Sequence, residues 1–86
     1  MKYIILLTVL LTSGAFASAF DDTLALAQQG DPVSQRNLAF LYESGGDIEQ
    51  DFDKAFSWYS QAAIQGDSVS AWKLGDFYSK GLERAI

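Results

Sequence analysis

Beyond the first twenty residues, apolar side chains fall three and four positions apart and are interrupted by short polar stretches that hold Gly30, Gly45, Gly46 and Gly66. Leu38, Leu41 and Tyr42 stand at i, i+3 and i+4, the spacing of one buried helix face. Ala55, Trp58, Tyr59, Ala62 and Ala63 continue that period further on and predict a second helix. The polar punctuation agrees with both. Asp31 can cap the first helix, with Pro32 at the first helical position, where a missing N–H costs nothing, and Gly45-Gly46 ends it. Asp51 begins the second as cap or first-turn anion against the positive end of the helix dipole, and Gly66 closes it by supplying the left-handed conformation that commonly ends helices. "GGDIEQ" between them is the turn, with Ile48 its lone apolar residue, expected to tuck under the hairpin.

The ending A-x-Q-G-D occurs twice, at Ala27 to Asp31 and at Ala63 to Asp67, and sets a register of 36 residues. In that register Asp31, Val33, Ser34, Leu38, Tyr42 and Gly45 fall on Asp67, Val69, Ser70, Leu74, Tyr78 and Gly81. Upstream, Ala27, Gln29 and Gly30 fall on Ala63, Gln65 and Gly66. Each copy fuses a glycine stop for one helix to an aspartate start for the next, and the alanines before it let two helices approach closely. The expected organisation is the end of a preceding helix at 20–30, a complete two-helix unit at 31–66 and a partial second unit at 67–86.

These residues resemble the Sel-1-like repeat, a relative of the tetratricopeptide repeat. The resemblance rests on Leu38-Ala39, Tyr42, Gly45, Ile48, Asp51, Lys54-Ala55, Trp58-Tyr59, Ala62-Ala63 and Gly66, of which D-x-x-K-A-x-x-W-Y with A-A-x-x-G is the specific part. Ser34 stands where the pattern has alanine, Ala39 where it has a helix-packing glycine, Asp47 for a loop glycine and Gln61 for lysine, while Gly75 restores the packing glycine in the second copy. The resemblance implies an all-α fold, a short right-handed α/α solenoid, and a role in protein–protein binding or scaffolding. Exported bacterial members are similar in being linked to envelope functions and host contact.

Charge and composition narrow the partners. The chain has 86 residues, 11 acidic against 6 basic, a net charge of −5 and no cysteine. With no basic stripe, nucleic acid and anionic membrane surfaces are disfavoured, and packing alone, without disulfides, must hold the fold. The opening "MKYIILLTVLLTSGAFASAF" has the anatomy of a signal peptide over 1–19: Lys2, an apolar run from Tyr3 to Leu11, and an Ala17-Ser18-Ala19 cleavage site. Cleavage after Ala19 and a periplasmic or secreted location are the expectation, with no membrane partner afterwards and an uncleaved anchor as the alternative.

Catalysis has little to use. With no histidine and no cysteine, a Ser-His-Asp or Cys-His constellation is excluded. "DIEQDFD" resembles the start of a calcium loop, but Phe52 and Trp58 hold the places of its required glycine and glutamate. The expectation is a non-enzyme with no cofactor and no metal. Trp58, Tyr59, Tyr42 and Tyr78 match packing positions, whereas Arg36, Phe40 and Glu43 line up opposite Leu38, with Trp72, Asp76 and Ser79 in the same places of the second copy. Repeat solenoids bind along first-helix surfaces, so Arg36, Phe40, Glu43, Trp72 and Asp76 are the candidate protein-binding residues for a protein or peptide partner; padding between neighbouring repeats is the alternative use. An envelope enzyme or a modulator of one, peptidoglycan-related, and a structural oligomerisation piece are the alternative functions. A helix at 67–80 without a second-helix partner would leave Val69, Leu74, Phe77 and Tyr78 with half a core, which leaves three readings open: a fragment of a longer repeat array, self-association in which a second chain supplies the missing helix, or a last helix folded onto the hairpin as a cap.

Overall fold

The structure, a computed structural model of the chain, describes residues 19–81. It consists of four helices in chain order, α1 (Ala19–Gln28), α2 (Pro32–Ser44), α3 (Phe52–Ile64) and α4 (Ser68–Ser79), with no strand among the described residues. Each helix packs chiefly on the next, giving a short α/α solenoid in which sequence neighbours are spatial neighbours. Apart from Ala19, which opens α1, the signal-like stretch 1–19 lies outside the described residues, as do residues 82–86. No helix among the described residues is long and apolar enough to cross a membrane.

The starts and stops are made by the residues that the polar punctuation marks. A helix leaves its first N–H groups without intrahelical acceptors, and a capping carboxylate supplies one. Asp31 accepts from the Ser34 N–H at 2.8 Å, Asp51 from that of Lys54 at 3.0 Å, and Asp67 from that of Ser70 at 2.9 Å. The Ser70 hydroxyl adds a second bond to Asp67 at 2.7 Å. At the two A-x-Q-G-D endings Gly30 and Gly66 have φ of +100° and +103°, a region that L side chains rarely adopt. Ala27 and Ala62, just before them, are buried and let the helices close up.

The core gathers Ala39 of α2, Ala55 and Tyr59 of α3 and Phe77 of α4, all fully buried, with Tyr42, Phe52, Phe56, Trp58 and Leu74 packed around them. The half-core expected of α4 holds for the exposed Val69 and Tyr78 and is corrected for Phe77. Phe77 is fully buried because Phe52, Phe56 and Tyr59 of α3 surround its ring at 6.0, 6.2 and 5.7 Å, and Leu74 is partly covered. Val69 and Tyr78, on either side of that buried stripe, stay exposed. Tyr78 therefore packs with one side, its ring 5.6 Å from Phe56, rather than inside. Ile48 is half-buried and, with Phe20, Leu41 and the loop Gly45 to Asp47, lines a cleft of about 480 Å³ beside the start of α1.

Candidate functional site

One surface combines large exposed apolar groups with organised charge, and it is formed by the first helix of each unit, α2 and α4. Phe40 on α2 is 45 % exposed and Trp72 on α4 is 68 % exposed. Between them stands Lys73, whose side chain is only 11 % exposed. Its ammonium lies 5.4 Å from the centre of the Phe40 ring, 5.8 Å from that of Trp72 and 5.8 Å from that of Tyr59, within the range of cation–π attraction.

Glu43 fixes this cation. One carboxylate oxygen accepts from Lys73 Nζ at 2.7 Å and the other from the Tyr59 hydroxyl at 2.7 Å. Tyr59 is buried, and Phe40 meets its ring edge-on at 6.3 Å. Burial pushes the Tyr59 hydroxyl above the ordinary phenol range, and the hydrogen bond to Glu43 and the charge of that carboxylate push it the same way. The phenol thus stays neutral and donating, so Glu43 is clamped between a hydroxyl of α3 and an ammonium of α4. Three helices share one carboxylate.

The five residues expected to bind divide accordingly. Phe40, Glu43 and Trp72 are brought together around Lys73. Arg36 reaches from the start of α2 to the cap of α4, where its Nη1 donates to Asp67 at 2.9 Å. Asp76 pairs with Lys80 one turn on, at 3.1 Å. Arg36 and Asp76 thus stand at opposite ends, since Asp67 and Asp76 are separated by ~13 Å of helix axis. For Asp67, burial pushes its carboxyl up, but bonds from the Ser70 hydroxyl and N–H and the adjacent Arg36 outweigh that and hold it below the ordinary carboxylate value. Asp31 is held below it too, by hydrogen bonding from the side chain and then the backbone of Ser34. Asp51, in the calcium-like stretch, is taken up as the cap of α3.

Lys73 escaped the sequence analysis because its register partner is Asn37, which carries no charge to mark the position. The glutamines were visible but unassigned. Gln65 donates through Nε2 to the Gly30 carbonyl at 2.9 Å and to Gln35 Oε1 at 2.8 Å, while the buried Gln35 donates to the Ala27 carbonyl at 3.2 Å. This amide chain ties the end of α3 to the α1–α2 hinge. The repeat of Gln29 at Gln65 was the available signal.

The Sel1 repeat family matches residues 32–67 and 68–85. The chain is 42 % identical over 52 residues to a sel1-like repeat-containing protein of Acanthamoeba polyphaga mimivirus, a match covering 60 % of this chain and 10 % of that protein. It is 39 % identical over 61 residues to the chitin synthase regulator SKT5 of Saccharomyces cerevisiae, covering 70 % of this chain and 9 % of that protein. The chain therefore spans about a tenth of the length of these relatives. No solved structure matches.

Proposed function

The chain belongs to the Sel1 repeat family, whose repeats are protein–protein interaction modules, and on that premise we propose that it binds a protein or peptide partner on the α2–α4 surface. The observation that carries this reading is the Phe40–Lys73–Trp72 arrangement, two exposed aromatic rings flanking a cation that Glu43 and Tyr59 hold in place. A solvated helix face has no use for two large apolar groups, whereas an interface does, and aromatic residues are enriched among those that dominate binding energy. An ammonium carries three donors, and Glu43 takes one of them. The matching ligand is an apolar side chain laid between Phe40 and Trp72, with an oxygen acceptor beside it for Lys73. Because the clamp is set before the partner arrives, little side-chain ordering is left for the binding step.

The signal-like anatomy of residues 1–19 supports an exported location, periplasmic or secreted, for this module. Similarity to a chitin synthase regulator favours a second form of the same reading, in which the bound partner is an enzyme that the module regulates.

Peptide display against the whole chain, followed by titration of selected peptides, tests the surface. Phe40→Ala and Trp72→Ala should each weaken binding about tenfold or more, the loss expected of central aromatic contacts. Peptides whose affinity neither substitution changes would place the docking surface elsewhere.

A further inference from the structure

The first and last helices among the described residues carry complementary halves of the repeat. By the 36-residue register α4 corresponds to α2, a first helix, and α1 corresponds to α3, a second helix. Inside the chain α2 and α3 cover each other, and Gln35, Ala39, Ala55, Tyr59 and Ala62 are buried there. The counterparts of Gln35 and Ala39 on α4, Ala71 and Gly75, are exposed, and Tyr78, counterpart of the half-buried Tyr42, is 59 % exposed. On α1 the counterpart of Ala62 is Leu26, 48 % exposed, and that of Tyr59 is Thr23.

We propose that these two faces join between copies of this chain, α1 of one molecule packing on α4 of the next as α3 packs on α2 within one. Three observations select a second copy as the occupant. The face Ala71, Gly75 and Tyr78 repeats, at the same helical spacing, the one that α3 already covers on α2, so a helix of the second type is what fits it. The ridge is low: a Cβ at Gly75 would meet nothing within 4 Å, so a helix can approach α4 closely there. Finally, the amide latch is made once where the sequence provides for it twice. Gln65 bonds the Gly30 carbonyl, but its repeat counterpart Gln29 makes no side-chain hydrogen bond among the described residues, and the counterpart acceptor is the carbonyl of Gly66. In a head-to-tail stack Gln29 of one copy takes the place that Gln65 has within the chain, with the Gly66 carbonyl of the other as its acceptor.

Such an interface is heterologous, so it propagates the solenoid instead of closing a two-fold dimer. It lies about 100° around α4 from Trp72, which leaves the docking surface open and repeats it along the stack.

The test follows the mass of the full chain by sedimentation and light scattering across a dilution series. Mass rising with concentration is expected, abolished by Gly75→Phe, which blocks the close approach, and reduced by Gln29→Ala, both at unchanged helicity. If Gly75→Phe fails to fold, Gln29→Ala, altering an exposed side chain, carries the comparison. Since the chain has no cysteine, Gln29→Cys and Ala71→Cys chains can be mixed with a short bismaleimide, and cross-linked dimers should exceed those from either variant alone. A monomer at every concentration, association that both Gly75→Phe and Gln29→Ala leave intact, or equal cross-linking in mixed and separate samples would each overturn the proposal.

Discussion

At the scale of single residues, Glu43 decides more than its partly exposed position suggests. Its carboxylate accepts from Tyr59 and Lys73 at once, so removing it orphans a buried hydroxyl and an almost enclosed ammonium. An unsatisfied buried polar group costs ~1–3 kcal/mol, whereas an ordinary hydrogen bond contributes ~0.5–1.5 kcal/mol net. Glu43→Ala should therefore destabilise the chain more than Tyr59→Phe, which removes one bond and leaves the Lys73 pair intact. Urea midpoints that fall equally would refute this ordering. The titrating groups set the limits in pH. Asp31 and Asp67 have carboxyls lowered in the folded chain, so their contribution is present above the unfolded value near pH ~4 and is lost as pH falls through the folded values. Tyr59 is raised, so its contribution is present below the unfolded value near pH ~10 and is lost as pH climbs toward the folded one. Stability should form a plateau between those limits. Asp67→Asn, which still caps but cannot titrate, should shrink the acid limb to the part that Asp31 contributes and leave the alkaline limb unchanged in urea melts across pH.

At the scale of helices and turns, the glycines separate backbone need from packing need. Gly66 has φ of +103° with nothing near a would-be Cβ, so Gly66→Ala meets only the conformational penalty, on the order of 1–2 kcal/mol. Gly75 is helical and equally unobstructed, so Gly75→Ala should instead stabilise by about 0.5–1 kcal/mol. Opposite shifts in melting temperature are expected, and shifts of one sign would contradict this account. The same distinction explains what could be read in advance. Caps, stops and the buried stripe of Leu38, Tyr59 and Ala62 are local: each depends on residues within a turn or two, and sequence spacing reports them directly. The Lys73–Glu43 clamp and the Gln65–Gly30 latch join residues 30 and 35 positions apart. The first exists only once α4 has stacked on the α2–α3 hairpin and the second only once that hairpin has closed, and both geometries are set by packing between helices, not by any single helix. Arg36 shows the limit from the other side, since its spacing pointed outward while its length let it reach back to the cap at Asp67.

For the molecule as a whole, Phe77 determines whether one and a half units can stand as a folded body. Domains of this size rarely draw more than ~3–5 kcal/mol from a core. Phe77 alone, enclosed by Phe52, Phe56 and Tyr59, would cost ~3–5 kcal/mol on truncation to alanine. The two quantities are comparable, so Phe77→Ala should unfold the chain outright and not merely fray α4. Tyr59 makes the loss spread. It packs on Phe77 with its ring and bonds Glu43 of α2 with its hydroxyl, so uncovering it loosens the α2–α3 hairpin as well as the α3–α4 contact. Trp72→Ala on the same helix provides the contrast, because an exposed side chain away from the core should shift stability by no more than ~0.5 kcal/mol. Circular dichroism of the two variants at one concentration distinguishes the cases. Loss of nearly all helical signal in Phe77→Ala, beside a native spectrum in Trp72→Ala, would mark the α3–α4 aromatic cluster as the keystone of the short solenoid. A partial loss confined to one helix in Phe77→Ala would mean that α1, α2 and α3 hold together without it, and that α4 is an appendage to a self-sufficient hairpin.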